Sequence, residues 1–253
     1  MLVAAAVCPC PPLLVPEVAA GAAPELDAAR AACTDALGVL AAARPDRLVV
    51  VGPAPDAGPE TYPAGTRGSF RGFGVELDVR LGADEAPDRS PDEAPDQASG
   101  GASRPGPALP YGLAVGAWLL RRTGWADAPV EGVGVGEHLP AERCAALGRD
   151  LATRAPRVAL LVLGDASACR TLKAPGYLDE RAAPFDAEAG RALGTADVAA
   201  LAALDAGLAR ELKVSGRAPW QVLAGAAEGT ALTGTLLYED VPYGVGYVAA
   251  AWS

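Results

Sequence analysis

The chain is patterned as short apolar runs alternating with stretches of helical period. Residues 2–7 form a continuous apolar run closed by Cys8-Pro9-Cys10-Pro11-Pro12, which predicts a strand buried on both faces and stopped by prolines that cannot join a ladder. Residues 25–43 carry apolar positions at helical spacing, and residues 47–51 read as a second buried strand ending in Gly52-Pro53. The pattern returns with a helix over 114–122, a strand over 130–135, a helix over 141–154 and a strand over 157–163 that ends in Gly164-Asp165. Strand and helix alternating in this way predict an α/β fold, a single domain with a mostly parallel central sheet flanked by helices on both faces.

Three further segments complete the outline. Residues 73–81 alternate apolar and polar positions, as an edge strand does. Residues 186–227 are mainly helical, with Leu201, Leu204, Leu208 and Leu212 on one face, and two closing strands are expected over 233–239 and 245–252. Residues 83–107 differ: EAPD occurs twice among Ser, Gly, Pro and Asp, with almost no large apolar side chain. Such a stretch cannot bury enough surface to offset ordering entropy, so it reads as a disordered acidic insertion in the one domain spanning 1–253.

Composition narrows the chemistry. With 21 Lys plus Arg against 31 Asp plus Glu, the net charge is −10, which opposes nucleic-acid binding. A single histidine among 253 residues rules out any site that needs two imidazoles from one chain. Five cysteines at irregular spacing do not make a disulfide framework. The opening residues lack a basic segment and are broken by prolines, and no window is long and apolar enough to span a membrane. A cytoplasmic, reduced protein is expected. Abundant Ala, Gly, Arg and Asp with scarce Lys reflect a high-GC genome and predict a core of many small side chains.

In a parallel α/β sheet, functional residues gather just after the strands. The segments there are Cys8-Pro9-Cys10, Gly52-Pro53-Ala54-Pro55, Gly136-Glu137-His138, Gly164-Asp165-Ala166-Ser167 and the turn near Tyr243. Cys8 and Cys10 are one residue apart and, in extended backbone, point to one side; the alternatives are a soft-metal or reactive thiol site and plain packing at a strand end. His138 stands between a strand and a helix, where it reaches a cleft or faces water. Asp165 is placed to accept backbone N–H groups or to bind a cation. Gly132-Val133-Gly134-Val135-Gly136 has neither dinucleotide nor phosphate-loop spacing, and no G-x-S-x-G elbow occurs.

Several of these segments, in order, resemble the B-subunit-like family of class III extradiol ring-cleavage dioxygenases and its Memo-type relatives. CPCPPLLVPEV at 8–18 is similar to the family's opening H-P-P-L-L-V-P-E, with Cys10 where the family has histidine. PDRLVVVGPAP at 45–55 resembles the second strand, which in active members ends in a metal-binding histidine near Pro53 or Ala54. GDASACRTLKAPGYLDERAAPFDAE at 164–188 is similar to the family's G-D-x-S-H segment, its apolar-Pro-Gly-Tyr stretch and the P-x-F-D beyond it, the histidine falling at Ala168. ALDAGLARELKVSGRAPWQVLAGA at 203–226 and LYEDVPYGVGYVAAAW at 237–252 resemble the closing helices and strands.

The resemblance implies an Fe(II) site of two histidines and a carboxylate, bidentate catecholate, O₂, and a further histidine as acid/base. It puts the carboxylate at Glu239 and leaves Cys10 as the other candidate metal ligand, while His138 matches none of the histidine positions. Ordinary ring cleavage is therefore not expected. Three readings remain. The first is a member whose iron site is lost and whose cleft, lined by Cys8, Pro53, Ser167, Ala168 and Tyr243, binds a small molecule or a protein partner. The second is an enzyme rebuilt on Cys10 with Asp165, Glu239 or His138, around a thiolate or a different metal. The third is a residual non-heme iron oxidoreductase. The resemblance also implies a homodimer or pairing with a small helical subunit.

Overall fold

Successive residues of the central strands are divided between two apolar layers. Ala4, Ala6, Leu48, Val50, Ala159, Leu161 and Leu163 face one layer; Ala5, Val7, Val49, Val51, Leu160 and Val162 face the other. This period of two in uninterrupted apolar runs is what a sheet covered on both faces requires. The computed structural model describes residues 1–55, 58–82 and 108–253, and the acidic insertion expected at 83–107 lies outside the described residues.

The sheet strands are β1 (Leu2–Cys8), β2 (Arg47–Ala54), β3 (Glu60–Tyr62), β6 (Val130–Gly136), β7 (Val158–Leu163), β8 (Gly234–Asp240) and β9 (Tyr247–Trp252); β4 (Arg67–Ser69) and β5 (Asp78–Arg80) form a separate antiparallel pair. The order across the sheet is β3-β6-β2-β7-β1-β9-β8. β6, β2, β7 and β1 are mutually parallel, with Val7 opposite Val162 and Val51 opposite both Val162 and Val133. β3 and β9 run antiparallel to their inner neighbours. The helices are α1 (Pro16–Ala19), α2 (Asp27–Ala42), α3 (Tyr111–Thr123), α4 (Ala141–Ala152), α5 (Ala182–Thr195), α6 (Val198–Ala202), α7 (Ala206–Glu211) and α8 (Arg217–Ala227). α2 and α3 cover one face; α4, α5 and α8 cover the other. The α/β architecture with a mostly parallel sheet is thus present.

Where the structure departs from the sequence pattern, a local cause is visible. The strand expected over 73–81 is only β5, because Arg71–Phe73 forms a 3₁₀ turn and Gly74 takes φ +85°. The helical stretch 186–227 is four helices. Its leucine ladder is bent where Asp205 caps α7, its carboxylate accepting the N–H of Leu208 at 2.6 Å, so Leu201 and Leu212 are buried from different short helices. α4 and α8 pack backbone to backbone: a Cβ on Gly148 would overlap the Val222 carbonyl, and one on Gly225 the Ala145 carbonyl.

The topology makes a crevice at one end of the sheet. After β1 the chain crosses to β2 by α2 on one face, whereas after β7 it continues into α5 on the other. β1 and β7 are neighbours, so the connections leaving their carboxyl ends diverge. Ligand crevices form at such reversals of winding.

Candidate functional site

The crevice is a cleft of about 390 Å³ with Asp165 at its floor. Pro11, Pro12 and Leu13 after β1, Tyr111 at the start of α3, Glu137 after β6, Ser215 before α8, and Tyr243 and Tyr247 line it. A recess of about 370 Å³ adjoins it through Tyr111 and Glu137 and carries Pro53, Ala54, Pro55 and His138. Two larger grooves lie elsewhere, one lined by the exposed Arg67, Arg80 and Arg121 and one beside Met1.

Asp165 ties the two diverging loops together. Its Oδ1 accepts the N–H of Cys10 at 2.8 Å, and its own N–H donates to Ser215 Oγ at 2.9 Å. Asp165 is half-buried, and its second oxygen, open to the cleft, has no hydrogen-bond partner among the described residues. Burial pushes the carboxyl up to about 7, the Cys10 N–H opposing only part of that effect. Tyr111 is held well above the ordinary tyrosine range, by burial first and then by the charges of Cys10, Asp165 and Glu137. Tyr247 is raised in the same direction by burial and Asp165. Tyr247 is only 2% exposed, yet its hydroxyl has no hydrogen-bond partner among the described residues and is not sealed away, since it borders the cleft.

The walls are fixed from behind. Arg217 is buried, and its guanidinium donates to the Leu139 carbonyl at 2.7 Å, to Gln221 Oε1 at 3.0 Å and to the Glu137 carbonyl. This pins the turn that carries Glu137 and His138. Lys213 and Tyr243 line the cleft with left-handed backbone, φ +58° at each, a conformation that disfavours side chains and tends to occur where a site is held in a set geometry. The Tyr243 hydroxyl donates to the Glu25 carboxylate at 2.7 Å.

The sequence candidates are distributed unevenly. Asp165, Ala168 and Tyr243 line the main cleft; Pro53 and His138 line the recess. Cys10 lies beneath the cleft, fully buried, and burial and the charge of Asp165 hold its thiol well above the usual range, the opposite of what a thiolate ligand or nucleophile requires. Cys8 is also buried, in the layer against α2, where the neighbouring Cys33 and burial raise its thiol. Ser167 faces away from the cleft: its N–H and hydroxyl donate to Asp186 at 2.9 and 2.7 Å, and Arg170 completes that group at 2.9 Å. Glu239 stands on the exposed edge strand β8 with its carboxylate beside Gly190 of α5, away from the Asp165 cleft. A site joining Cys10, Asp165 and Glu239 is therefore not formed.

Sequence reasoning did not single out Tyr111, Lys213, Ser215 and Tyr247. Glu137 belongs to one of the strand-end segments, but there His138 is the residue whose chemistry draws attention. The other four come from a helix start, a helix–helix turn and a strand start; Lys213, Ser215 and Tyr247 fall within the closing segments that carry the resemblance, but nothing in those segments singles them out.

The donor set does not suit the Fe(II) that the family resemblance implies. The positions at Pro53, Ala54 and Ala168 offer no ligand atom, Cys10 is a buried thiol, and among the described residues no group of three or more His, Cys, Asp or Glu is arranged to hold a metal ion.

No protein-family model matches the chain, and no curated protein matches it. Among solved structures the chain is similar to the uncharacterized protein JW3007 from Escherichia coli K12, with a TM-score of 0.51 and 16% identity over 87% of this chain and 91% of that one. At that identity the likeness establishes a shared α/β fold. Among the described residues no helix is long and apolar enough to cross a membrane.

Proposed function

We propose that this chain is a small-molecule-binding relative of the class III extradiol dioxygenases, without ordinary ring-cleavage chemistry, whose ligand sits in the strand-end cleft above Asp165. The observation that carries the reading is the cleft floor itself. Asp165 keeps one carboxyl oxygen without a partner, and the nearly buried Tyr247 keeps its hydroxyl without one, both facing the same cavity. Buried polar groups are normally satisfied within the protein, so groups left open at the base of a preformed cavity are the polar contacts a ligand would complete. Support also comes from the winding reversal between β1 and β7, where the cleft sits, and from the cavity volume, which lies within the range of small-molecule sites.

A fragment panel screened by protein NMR tests this. Binders are expected to shift resonances of Tyr111, Glu137, Asp165, Ser215 and Tyr247 together. Binders that cluster on the arginine groove, or a panel in which none reaches the strand-end residues, would contradict it.

A further inference from the structure

We infer that the ligand of this cleft carries a cationic amino group on a ring-sized apolar body; the inference rests on the small-molecule reading above and names its chemical class. The charged groups that line the cleft are two carboxylates and one ammonium: Asp165, with one oxygen free, Glu137, and Lys213. The hydroxyls of Tyr111, Ser215 and Tyr247 line it too, and each can accept or donate. Asp165, Glu137 and Tyr111 line the same cleft, so both carboxylates border the space a ligand would fill. Lys213 is the lysine among the lining residues and is exposed at the rim, its stem packed towards Gly176.

An ammonium supplies three donors to the open oxygens and compensates the charge of the half-buried Asp165. Tyr111 and Phe73, both partly exposed along the cleft, give an apolar body its contacts. An anionic ligand would meet the charges of Asp165 and Glu137 and leave the free Asp165 oxygen unpaired.

The test uses the full chain and three probes of matched shape: 2-phenylethylamine, 2-phenylethanol and phenylacetate, titrated by NMR or calorimetry. The amine is expected to bind about tenfold more tightly than the alcohol, as one charge-assisted contact implies, and phenylacetate most weakly. Asp165→Asn retains an acceptor for the Cys10 N–H, and Glu137→Gln changes an exposed side chain, so both variants are expected to fold. Each should lower the amine-to-alcohol preference several-fold.

Phenylacetate binding as tightly as the amine, or an amine preference that both variants leave intact, overturns the inference. If other fragments occupy the cleft while the amine shows no advantage, the cationic class fails and the small-molecule reading stands. If no fragment reaches the cleft, both fail.

Discussion

Two aspartates lie close to one another in this structure and are treated in opposite ways. Asp186, on α5, is 2% exposed and fully engaged, accepting from the Ser167 N–H, the Ser167 hydroxyl and the Arg170 guanidinium. It clamps the segment after β7 to the helix beyond it. Asp165, two residues before Ser167, receives one backbone N–H and turns its other oxygen to a cavity. The clamp region is complete within the protein, whereas the cleft region lacks partners that a ligand would bring. A buried carboxylate by itself therefore marks no site; the informative feature is which of its hydrogen bonds are missing.

Removing the clamp is expected to have the largest effect. Asp186→Ala strands the Ser167 donors and Arg170, and should cost about 3 kcal/mol or more, read from urea unfolding midpoints. Asp165→Ala removes a single backbone partner and relieves an enclosed charge, so near pH 7 it should cost about 1 kcal/mol or less. Equal losses in the two variants would erase the distinction between the regions.

The second consequence concerns pH. The Asp165 carboxyl titrates near 7 in the folded protein against an ordinary value of 3.8, so folding takes up a proton between those limits. Its contribution to stability is accordingly greatest below about pH 4 and is lost as pH rises through about 7. The groups around it are the Cys10 thiol, Tyr111, Tyr247 and Glu137, with Lys213 at the rim. Wild type should lose stability between pH 5 and pH 8 more steeply than Asp165→Asn. Identical slopes would show that Asp165 is ionised like an exposed carboxylate.

Smaller effects sharpen the same contrast. Left-handed backbone at Lys213 belongs to the cleft side, and Lys213→Asn, a residue better suited to that conformation, should stabilise by up to about 1 kcal/mol in the same unfolding assay. Cys10 is sealed below the cleft floor, so a thiol reagent at neutral pH should label it only as fast as the protein opens.

Much of the frame was legible in the sequence because apolar runs such as 158–163 and glycine- or proline-marked strand ends declare themselves by local pattern. Asp165 was legible for the same reason, as the residue just past such a run. The rest depends on contacts between distant elements. Ser215 lies 50 positions from Asp165 and Tyr247 lies on an antiparallel strand inserted beside β1, so no spacing rule joins them. Ser167 has the position of a cleft residue, but its donors serve Asp186, 19 positions on. Glu239 has the position of a ligand near the end of a strand, whereas its side chain lies against α5. Cys10 occupies a strand end as expected, yet only its N–H serves the cleft floor.

The central claim is that Asp165, unlike Asp186, is incompletely satisfied and faces a cleft. Its most direct test is the carboxyl-carbon NMR titration of Asp165 in the ligand-free protein, assigned with Asp165→Asn. The expected midpoint is near pH 7, well above an ordinary aspartate. A midpoint near 4 would mean that the carboxylate is already solvated or paired, and the contrast between the two regions would fall.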